Sequence, residues 1–515
     1  MLDNLEAVGS VIADDVSPSF ESFRFKANAF RYVFPGTLLG TWVDIHKRFL
    51  IGRVSSAIEI NPHESPERSK VREAMDMPSD YPSEDFSTTI FRVYEVEIIE
   101  EAIIQHDVKI TIEQPSNMPK AGAEVFQLTD SIVAEALGFE TSLGLSLCLG
   151  TTQHSSAHSD GEEPTNNVML KREAIQRHIF VGGTTGSGKS FSTGIILEEI
   201  NRLGLPIIIL DSQKEYAGVA RELGGLVLVP GKDYSVRLSS LTETEILELV
   251  PTLRSARVGY DLLAFTFIRL KREIVQGRRE NFGLEDVLDG MRMDAPKLEV
   301  KDSSLNLALG RVRYSIERHS YLGGSTNWVE LLKWNQYQGK TPILNIDCSG
   351  LDQTQLQLIV GATLRELQTL RKVQTIPPYV SVLDEAHLLV PEGEGSACKQ
   401  VIREGVRIGR HFGICMILIT QSPVDIDKKT IRQCNTRLIF ALEPDQLDAI
   451  RGVRADATDD MLKRLPKMPV GTCLLSGTYE TVKHAIPIKI RSDRKTAPGG
   501  ATPNIFEEVE LEWQT

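Results

Sequence analysis

The first third of the chain alternates apolar and polar residues over short segments that are separated by polar turns. Residues 22–26 and 91–99 are examples, and their period of two is typical of β-strands with one buried face. Short strands at close spacing predict a small β-barrel. Two stretches rich in polar and small residues interrupt this pattern, and we expect a long loop at 61–87 and a linker at 151–167.

Beyond the linker the pattern changes to uniformly apolar runs that alternate with amphipathic segments. Such runs are typical of strands buried on both faces of a parallel sheet, and the segments between them predict covering helices. From 242 to about 317 the apolar spacing is helical throughout, which predicts a helical insertion. Its scattered basic residues either solvate a helix face or contact nucleic acid or another subunit, and both interpretations stay open.

These patterns divide the chain into five parts. Two apolar segments near the end, 468–475 and 485–490, predict a closing hairpin. The expected parts are a β-barrel with its linker at 1–165, the first part of an α/β core at 166–241, the helical insertion at 242–330, the second part of the core at 331–492 and a tail at 493–515.

Residues 183–190 match the phosphate-binding pattern G-x-x-x-x-G-K-[ST], with a predicted strand before them and a predicted helix after them. Glycines let backbone N–H groups approach phosphate oxygens, and the helix N-terminus adds partial positive charge. Lys189 would reach the outer phosphates, and the Ser190 hydroxyl would ligate Mg²⁺. The residues expected to bind the nucleotide are Gly183, Thr185, Gly186, Ser187, Gly188, Lys189, Ser190 and Phe191.

Two later apolar runs end in carboxylates. One ends in Asp384 and Glu385, as a Walker B strand does. Asp384 would hold the Mg²⁺ shell, and Glu385 would act as general base toward the attacking water. The other ends in Asp211, with Glu215 shortly after it. Ligands of open α/β sheets lie at the carboxyl ends of strands, so Asp211 and Glu215 are site candidates, although a simple turn also explains them.

The apolar run at 413–421 ends in Gln421, where the γ-phosphate would lie, so Gln421 is a candidate sensor. A predicted helix before this run carries Arg403, Arg407 and Arg410 on one face. A solvated basic face is the simpler interpretation. Alternatively, one of these arginines reaches the γ-phosphate of a neighbouring subunit, and hydrolysis then requires a ring.

Composition and net charge restrict the class of protein that these patterns can describe. The chain has 515 residues, of which 41% are hydrophobic and 25% charged, as expected for a globular protein of several domains. A net charge of −13 argues against a surface coated by nucleic acid, but it is compatible with a basic groove or pore. The six cysteines are scattered, and neither a membrane span nor a signal peptide is evident, so we expect a cytoplasmic protein. His154 and His158 lie in the polar linker, where solvated side chains explain them better than a metal site.

In this order and spacing, the motifs resemble the HerA branch of the HerA/FtsK translocase superfamily over almost the full chain. The predicted barrel, the phosphate loop, the insertion and the acidic pair follow one another as in that family. The segments that carry the resemblance are 177–190, 211–216, 383–387, 403–410, 420–423, 425–427 and 433–436.

The resemblance implies an α/β fold with a RecA-like P-loop ATPase core, an N-terminal small β-barrel and a helical-bundle insertion. It implies a homo-hexamer that hydrolyses ATP with Mg²⁺ and moves double-stranded DNA through a central channel. Lys189, Glu385 and Gln421 would act in the protomer's own site. Arg410 would be a finger supplied by the neighbouring subunit, and Arg177 a second arginine donated across that interface.

The chain departs from the family pattern after Asp211, where the Gly that often precedes Glu-Tyr is missing, and after Gln421, where Ser-Pro replaces Arg-Pro. Family members work with a partner nuclease in end resection or with an effector in antiphage defence, docked on the barrel, and both pathways stay open. The alternative function is a ring-shaped ATP-binding scaffold that assembles an effector enzyme, which the acidic net charge favours. A conjugation-type pump is disfavoured because no membrane anchor is visible.

Overall fold

The computed structural model describes residues 5–13, 17–28, 33–45, 47–60, 91–105, 109–140, 142–152, 167–337, 340–393, 395–396, 398–452 and 456–497. The expected loop at 61–87, most of the expected linker with His154 and His158, and the tail beyond 497 lie outside the described residues. The chain forms two compact units. The first joins Met1–Lys171 to Arg454–Leu465 and Thr472–Arg491, and the second contains the remaining segments.

Strands and helices follow the predicted succession of a β-rich part and an α/β part. The strands are β1 (Ala7–Ile12), β2 (Ser22–Ala27), β3 (Leu38–Asp44), β4 (Arg48–Ile60), β5 (Phe91–Gln105), β6 (Lys109–Glu113), β7 (Glu124–Gln127), β8 (Ser146–Thr152), β9 (Asn167–Lys171), β10 (Ile179–Gly182), β11 (Ile207–Asp211), β12 (Leu226–Leu228), β13 (Ile343–Asp347), β14 (Tyr379–Leu383), β15 (Ile414–Thr420), β16 (Thr436–Ile439), β17 (Thr472–Gly477) and β18 (Ile486–Ile490). The helices are α1 (Asp130–Leu137), α2 (Glu173–Gln176), α3 (Lys189–Arg202), α4 (Ala217–Glu222), α5 (Glu243–Leu249), α6 (Arg257–Val275), α7 (Leu284–Asp294), α8 (Asp302–Glu317), α9 (Trp328–Tyr337), α10 (Gln353–Lys372), α11 (Ala386–Leu389), α12 (Lys399–Ile408), α13 (Lys428–Gln433), α14 (Leu447–Arg451) and α15 (Asp459–Arg464).

Six strands of the first unit close into a β-barrel in the order β2-β1-β7-β3-β4-β5 and back to β2, and β6 extends the sheet from β5. Every neighbouring pair in the ring is antiparallel. The alternation in β2 buries Phe23 and Phe25. Phe25 stacks on Tyr94 of β5 with 5.1 Å between the ring centroids. The period-two pattern therefore determines which side chains fill the barrel.

The first unit also contains the predicted C-terminal hairpin. β17 and β18 pair with Leu474 opposite Pro487, β18 pairs with β8, and β8 pairs with β9. β8 and β9 have no counterpart in the sequence-based prediction, because both are short and flank the polar stretch expected as a linker. The sequence placed the hairpin at the end of the α/β core, whereas its contacts group it with the barrel. The five domain limits given above stay predictions.

Five charged side chains connect this C-terminal segment to the barrel. The guanidinium of Arg53, only 2% exposed, donates to Glu97 over 2.7 Å and lies 3.6 Å from Asp456. The His484 ring bridges Asp456 at 3.0 Å and the fully buried Glu100 at 2.9 Å. Burial by itself would lower the pKa of His484, but the two carboxylates raise it above the ordinary value of 6.5. The pKa of Asp456 is lowered, because hydrogen bonds and nearby cations outweigh its burial.

The second unit is built on seven parallel strands in the order β12-β13-β11-β14-β15-β10-β16. All residues of β11, β13, β14 and β15 are buried, which explains why these strands are mostly apolar. In a parallel sheet all carboxyl ends meet at one edge. That edge carries Gly182, Asp211, Asp347, Leu383 and Thr420.

The helical insertion comprises α5 to α8, with Phe267 packed edge-on against Phe282 at 5.2 Å in its core. Several of its basic side chains are bound within the insertion. Arg279 pairs with Asp286 at 2.6 Å, and Arg313 pairs with Glu285 at 2.8 Å. These contacts favour the interpretation that the cations solvate and crosslink helix faces. In the described part of the chain, no helix has the length and apolarity that crossing a bilayer requires.

The buried position of His484 makes the stability of the first unit depend on pH. A group whose pKa is raised on folding stabilises the fold fully below its unfolded pKa, and this contribution is lost as the pH rises through the folded value. His484→Gln should therefore lower the melting temperature by about 4 °C near pH 6 and by less near pH 9, since a hydrogen bond to a charged group contributes about 1.5–3 kcal/mol. Scanning calorimetry at both pH values measures this.

The exposed His411→Gln is the matched control and should leave the melting temperature unchanged at both pH values. An equal loss for His484→Gln at acid and alkaline pH would contradict the assignment of the charge to this histidine.

Candidate functional site

The phosphate loop connects β10 to α3 and is framed by close packing. Gly186 and Gly188 have φ values of 77° and 105°, which a glycine adopts without strain. A Cβ on Gly183 would lie 2.6 Å from the Cβ of Phe440, so this position has no room for a side chain. The carbonyl oxygen of Ser187 accepts a hydrogen bond of 3.1 Å from the Gly471 N–H. The loop is thus held by contacts on both sides and opens toward the carboxyl edge of the sheet.

Lys189 and Ser190 begin α3 and face the acidic residues of the site. The Lys189 ammonium, 7% exposed, donates to the carbonyl of Thr184 at 2.7 Å. Burial lowers the pKa of Lys189, and the carboxylates of Glu385, Glu215 and Asp384 oppose this shift. The Ser190 hydroxyl donates a short hydrogen bond to Glu215.

Asp211 organises the turn that follows β11. Its fully buried carboxylate accepts hydrogen bonds from the N–H groups of Glu215 at 3.0 Å and Tyr216 at 2.9 Å, and from the Asn345 amide at 2.9 Å. Burial raises the pKa of Asp211 in spite of these donors. Asp211 therefore stabilises the turn, and the turn places Glu215 within hydrogen-bond distance of Ser190. The hydrogen bonds of Asp211 favour the turn interpretation for that residue, and Glu215 stays a site candidate.

Asp384 follows β14 and is 3% exposed. The Ser212 hydroxyl donates to it at 2.7 Å. Burial raises the pKa of Asp384 to about 8, and the carboxylates of Glu385, Asp211 and Glu215 contribute to this rise. At Asp384, burial and the neighbouring carboxylates therefore outweigh the positive charge of Lys189.

Glu385 has a left-handed backbone with φ of 46°, which is strained for a residue other than glycine. Its carboxylate accepts hydrogen bonds from the amides of Gln213 at 3.0 Å and Gln421, and lies 3.2 Å from Nδ1 of His387. Burial by itself would raise the pKa of Glu385, but the contacts with His387 and Gln421 lower it. Glu385 is therefore kept ionised, as a general base must be.

Gln421 joins the phosphate loop to Glu385. Its carbonyl oxygen accepts a short hydrogen bond from the Thr185 hydroxyl, while its amide donates to Glu385. A cavity of about 580 Å³ lies over this contact. Its lining residues are Thr184, Thr185, Gln213, Glu385, His387, Leu388, Gln421, Ser422, Glu443 and Gln446.

The donor set at this edge fits a magnesium nucleotide. Ser190 supplies a hydroxyl, and Asp384 supplies a carboxylate whose raised pKa would be relieved by a divalent cation. Among the described residues, no three His, Cys, Asp or Glu side chains form a metal-binding group. Mg²⁺ commonly takes one or two protein ligands and completes its shell with phosphates and water.

Arg177 and Arg410 lie at the other edge of the sheet. Arg177 comes just before β10, and Arg410 lies in the 3₁₀ turn Gly409–Phe412 just before β15. The seven residues of β15 span about 20 Å and separate Arg410 from Gln421 at the other end of the strand. Arg410 lies near His178, the residue after Arg177, because its charge helps burial to lower the pKa of His178 to about 4.

Four residues of the site were not predicted: Ser212, Gln213, Asn345 and His387. Ser212 and Gln213 directly follow a strand that ends at the binding edge, and His387 follows the acidic pair, so proximity to a carboxyl end is a signal that could have found them. Asn345 is a polar residue in an apolar strand, which indicates a buried polar contact. Phe191 lies in the first turn of α3, beneath the guanidinium of Arg494.

Replacing Glu385 with Gln should lower ATP turnover at least about 100-fold, because the amide cannot accept the proton of the attacking water. Nucleotide affinity should stay within about twofold, since the replacement removes neither Lys189 nor the loop. Phosphate release and titration with a fluorescent ADP measure the two quantities. Glu248→Gln, on the exposed face of α5, is the matched control; retention of turnover in Glu385→Gln would remove Glu385 from the reaction.

Comparison with known proteins shows which families and proteins this chain is similar to. Residues 159–367 match the family model of the HerA helicase central domain, and residues 358–493 match that of an AAA-like domain. The DNA double-strand break repair helicase HerA of Sulfolobus acidocaldarius is 25% identical over 363 residues, which cover 66% of this chain and 70% of that protein. The helicase of the same name from Sulfurisphaera tokodaii is 23% identical over 359 residues, with the same two shares.

Among solved structures, VirB4 of Thermoanaerobacter pseudethanolicus is similar to this chain with a TM-score of 0.51 and 15% identity. The match covers 68% of this chain and 97% of VirB4. Together with the barrel and the insertion, this confirms the expected fold class of a P-loop ATPase core with two additions. The resemblance inferred from the motifs is likewise confirmed over residues 159–367: in this range the P-loop ATPase matches the HerA helicase central domain.

Proposed function

We propose that this protein is an ATP-driven motor that moves double-stranded DNA through a ring of six copies. The observation that carries the proposal is that one loop contacts Glu385 through Gln421 and a basic groove through Asp427. The relatives described above are named DNA double-strand break repair helicases, which supports DNA as the substrate.

Hydrolysis would begin with the phosphates of ATP on the loop at 183–190. Lys189 would neutralise the outer phosphates, and Ser190 and Asp384 would hold Mg²⁺, which supplies further positive charge to the transferred phosphoryl group. Glu385 would accept a proton from the attacking water. Gln421, which contacts both Glu385 and the loop, would register whether the γ-phosphate is present.

The basic groove lies between α12 and α13 and has a volume of about 690 Å³. Lys399, Arg403 and Arg407 line it from α12, and Lys429 lines it from α13, with Glu404 as an acidic member of the lining. This surplus of positive charge stands out in a chain of net charge −13. A row of cations with little sequence-reading chemistry suits the phosphates of a nucleic-acid backbone.

The loop after Gln421 ties this groove to the catalytic residues. Asp427, near the end of the loop, accepts hydrogen bonds from Arg403 and from the N–H of Thr430 at the start of α13. The Asp427 N–H donates to the carbonyl of Val390 at 2.9 Å. A shift of Gln421 on loss of the γ-phosphate would therefore move both walls of the groove. This is the step that would convert hydrolysis into movement of DNA.

The positions of Arg177 and Arg410 support a ring. Each precedes a strand whose other end carries the site, and Arg410 is exposed in a turn. In a head-to-tail ring, one face of each protomer meets the opposite face of the next, so these arginines would complete a neighbouring site. We propose Arg410 as the finger and Arg177 as the second arginine.

We further propose that the N-terminal barrel docks a partner nuclease or another effector in the cytoplasm, for DNA end processing or antiphage defence. The alternative of an ATP-binding scaffold keeps the ring and the docking but makes no use of the groove. If substitution of the groove residues abolishes the stimulation of ATP turnover by DNA, the result would therefore favour the motor over the scaffold.

Donation of Arg410 between subunits can be tested by mixing two inactive variants. Lys189→Ala removes a protomer's own phosphate contact, and Arg410→Ala should lower turnover about 10³-fold by removing the finger. After subunits are unfolded and reassembled together, about a quarter of the sites should combine an intact Lys189 with an intact neighbouring Arg410 and recover activity. A mixture as inactive as its components would contradict donation between subunits.

The groove leads to a separate prediction about the salt dependence of DNA binding. Arg407→Gln and Lys429→Gln should each weaken duplex DNA binding for every sequence and reduce the slope of log affinity against log salt by about one, because each removes one phosphate contact. Fluorescence anisotropy with unrelated duplexes measures this. Arg257→Gln, a 94% exposed cation of the insertion, should change neither quantity. Equal slopes for all variants would exclude the groove as the DNA contact.

A further inference from the structure

The segment Arg494–Ala497, here called the strap, lies along the helix that begins at the phosphate loop. The carboxylate of Glu198 on α3 accepts hydrogen bonds from the N–H of Lys495 at 2.9 Å, the N–H of Thr496 at 2.7 Å and the Thr496 hydroxyl at 2.8 Å. The Ala497 N–H donates to Glu222 of α4 at 2.8 Å. Thr496 is 4% exposed, so the strap is built into the unit.

The side chain of Arg494 connects the strap to the first turn of α3. Its guanidinium lies over the ring of Phe191, with 5.4 Å between Cζ and the ring centroid. It also donates to the carbonyl oxygens of Ser190 and Phe191 at 3.4 Å, and its own position is set by Thr496 at 3.0 Å. The same two residues, Ser190 and Phe191, are the last of those expected to contact the nucleotide. One arginine therefore touches the binding turn from the side opposite the loop.

Gly194 gives independent evidence that this contact is specific. It lies in the middle of α3, where a glycine costs about 1 kcal/mol relative to alanine. A Cβ at this position would lie 2.3 Å from Cζ and 2.5 Å from Nε of Arg494. The helix thus keeps an unfavourable residue at the one place where the guanidinium must approach its backbone. Packing of Arg494, rather than helix propensity, explains this glycine.

We propose that Arg494 is a positioning residue for the nucleotide, which holds Ser190 and Phe191 in the geometry that binds ATP. Its guanidinium stacks on the aromatic ring and restrains two main-chain carbonyls, so the binding turn is preorganised and less ordering is needed when ATP arrives. The strap acts on binding and not on the chemical step, because its contacts are with α3, whereas Glu385 and Gln421 follow β14 and β15. This inference rests on ATP binding at this site and is independent of DNA translocation.

The test uses the full chain with two unrelated ways of displacing the guanidinium. Arg494→Ala removes it, and Gly194→Ala expels it while improving helix propensity. Each should raise the Kd for a fluorescent ADP and the KM for ATP about tenfold, with kcat changed less than about twofold, since uniform binding is lost. Lys495→Ala is the matched control, because the exposed Lys495 contacts Glu198 only through its main chain.

The double variant Gly194→Ala with Arg494→Ala provides the decisive comparison. Both changes remove the same contact, so its Kd should equal that of Arg494→Ala, and its melting temperature should exceed that of Arg494→Ala because alanine favours the helix. Unchanged Kd and KM in both single variants, with or without a lower melting temperature, would reduce the strap to a structural element and overturn the proposal. Additive losses in the double variant would overturn it as well. Failure of the unaltered protein to bind ADP would instead count against the proposed function.

Discussion

The nucleotide site depends on the concentration of negative charge at one edge of a buried sheet. Asp211, Asp384 and Glu385 are all less than 5% exposed, and Glu215 joins them at Ser190. Buried like charges are costly unless each is paired or hydrogen-bonded. Backbone and amide donors satisfy Asp211, and Gln213, Gln421 and His387 satisfy Glu385. Lys189 is the central cation, and the Mg²⁺ ion that we propose would add further positive charge to this edge.

Two adjacent carboxylates respond to this environment in opposite directions. Burial among other acids raises the pKa of Asp384 to about 8, while His387 and Gln421 lower the pKa of Glu385. In the function that we propose, the first carboxylate would bind the cation and the second would act as the base at neutral pH. The strained backbone of Glu385 is part of the same arrangement, because it directs consecutive side chains to different partners.

Each of the two units is assembled from segments that lie far apart in the sequence. The first unit is assembled from residues far apart in sequence, and the contact of Arg53 with Asp456 is an example. The chain then returns to the second unit at Ser492, where the strap meets α3. The element that ends the described chain thus lies on the helix that begins at the phosphate loop. Contacts of this kind are long-range, and folding must close large loops to form them.

The sequence alone determined the features whose signal is local. The order of strands and helices, the phosphate loop and the acidic pair at the end of β14 follow from apolar periodicity and from short motifs with a mechanical meaning. Only the tertiary structure decided how distant positions combine: that Asn345 steadies Asp211, that Gln421 bridges Thr185 and Glu385, that the C-terminal hairpin joins the barrel, and that Arg494 requires Gly194. The physical reason is that a strand or a loop is specified by neighbours in sequence, whereas burial, charge pairing and pKa depend on groups that meet only when the chain is folded.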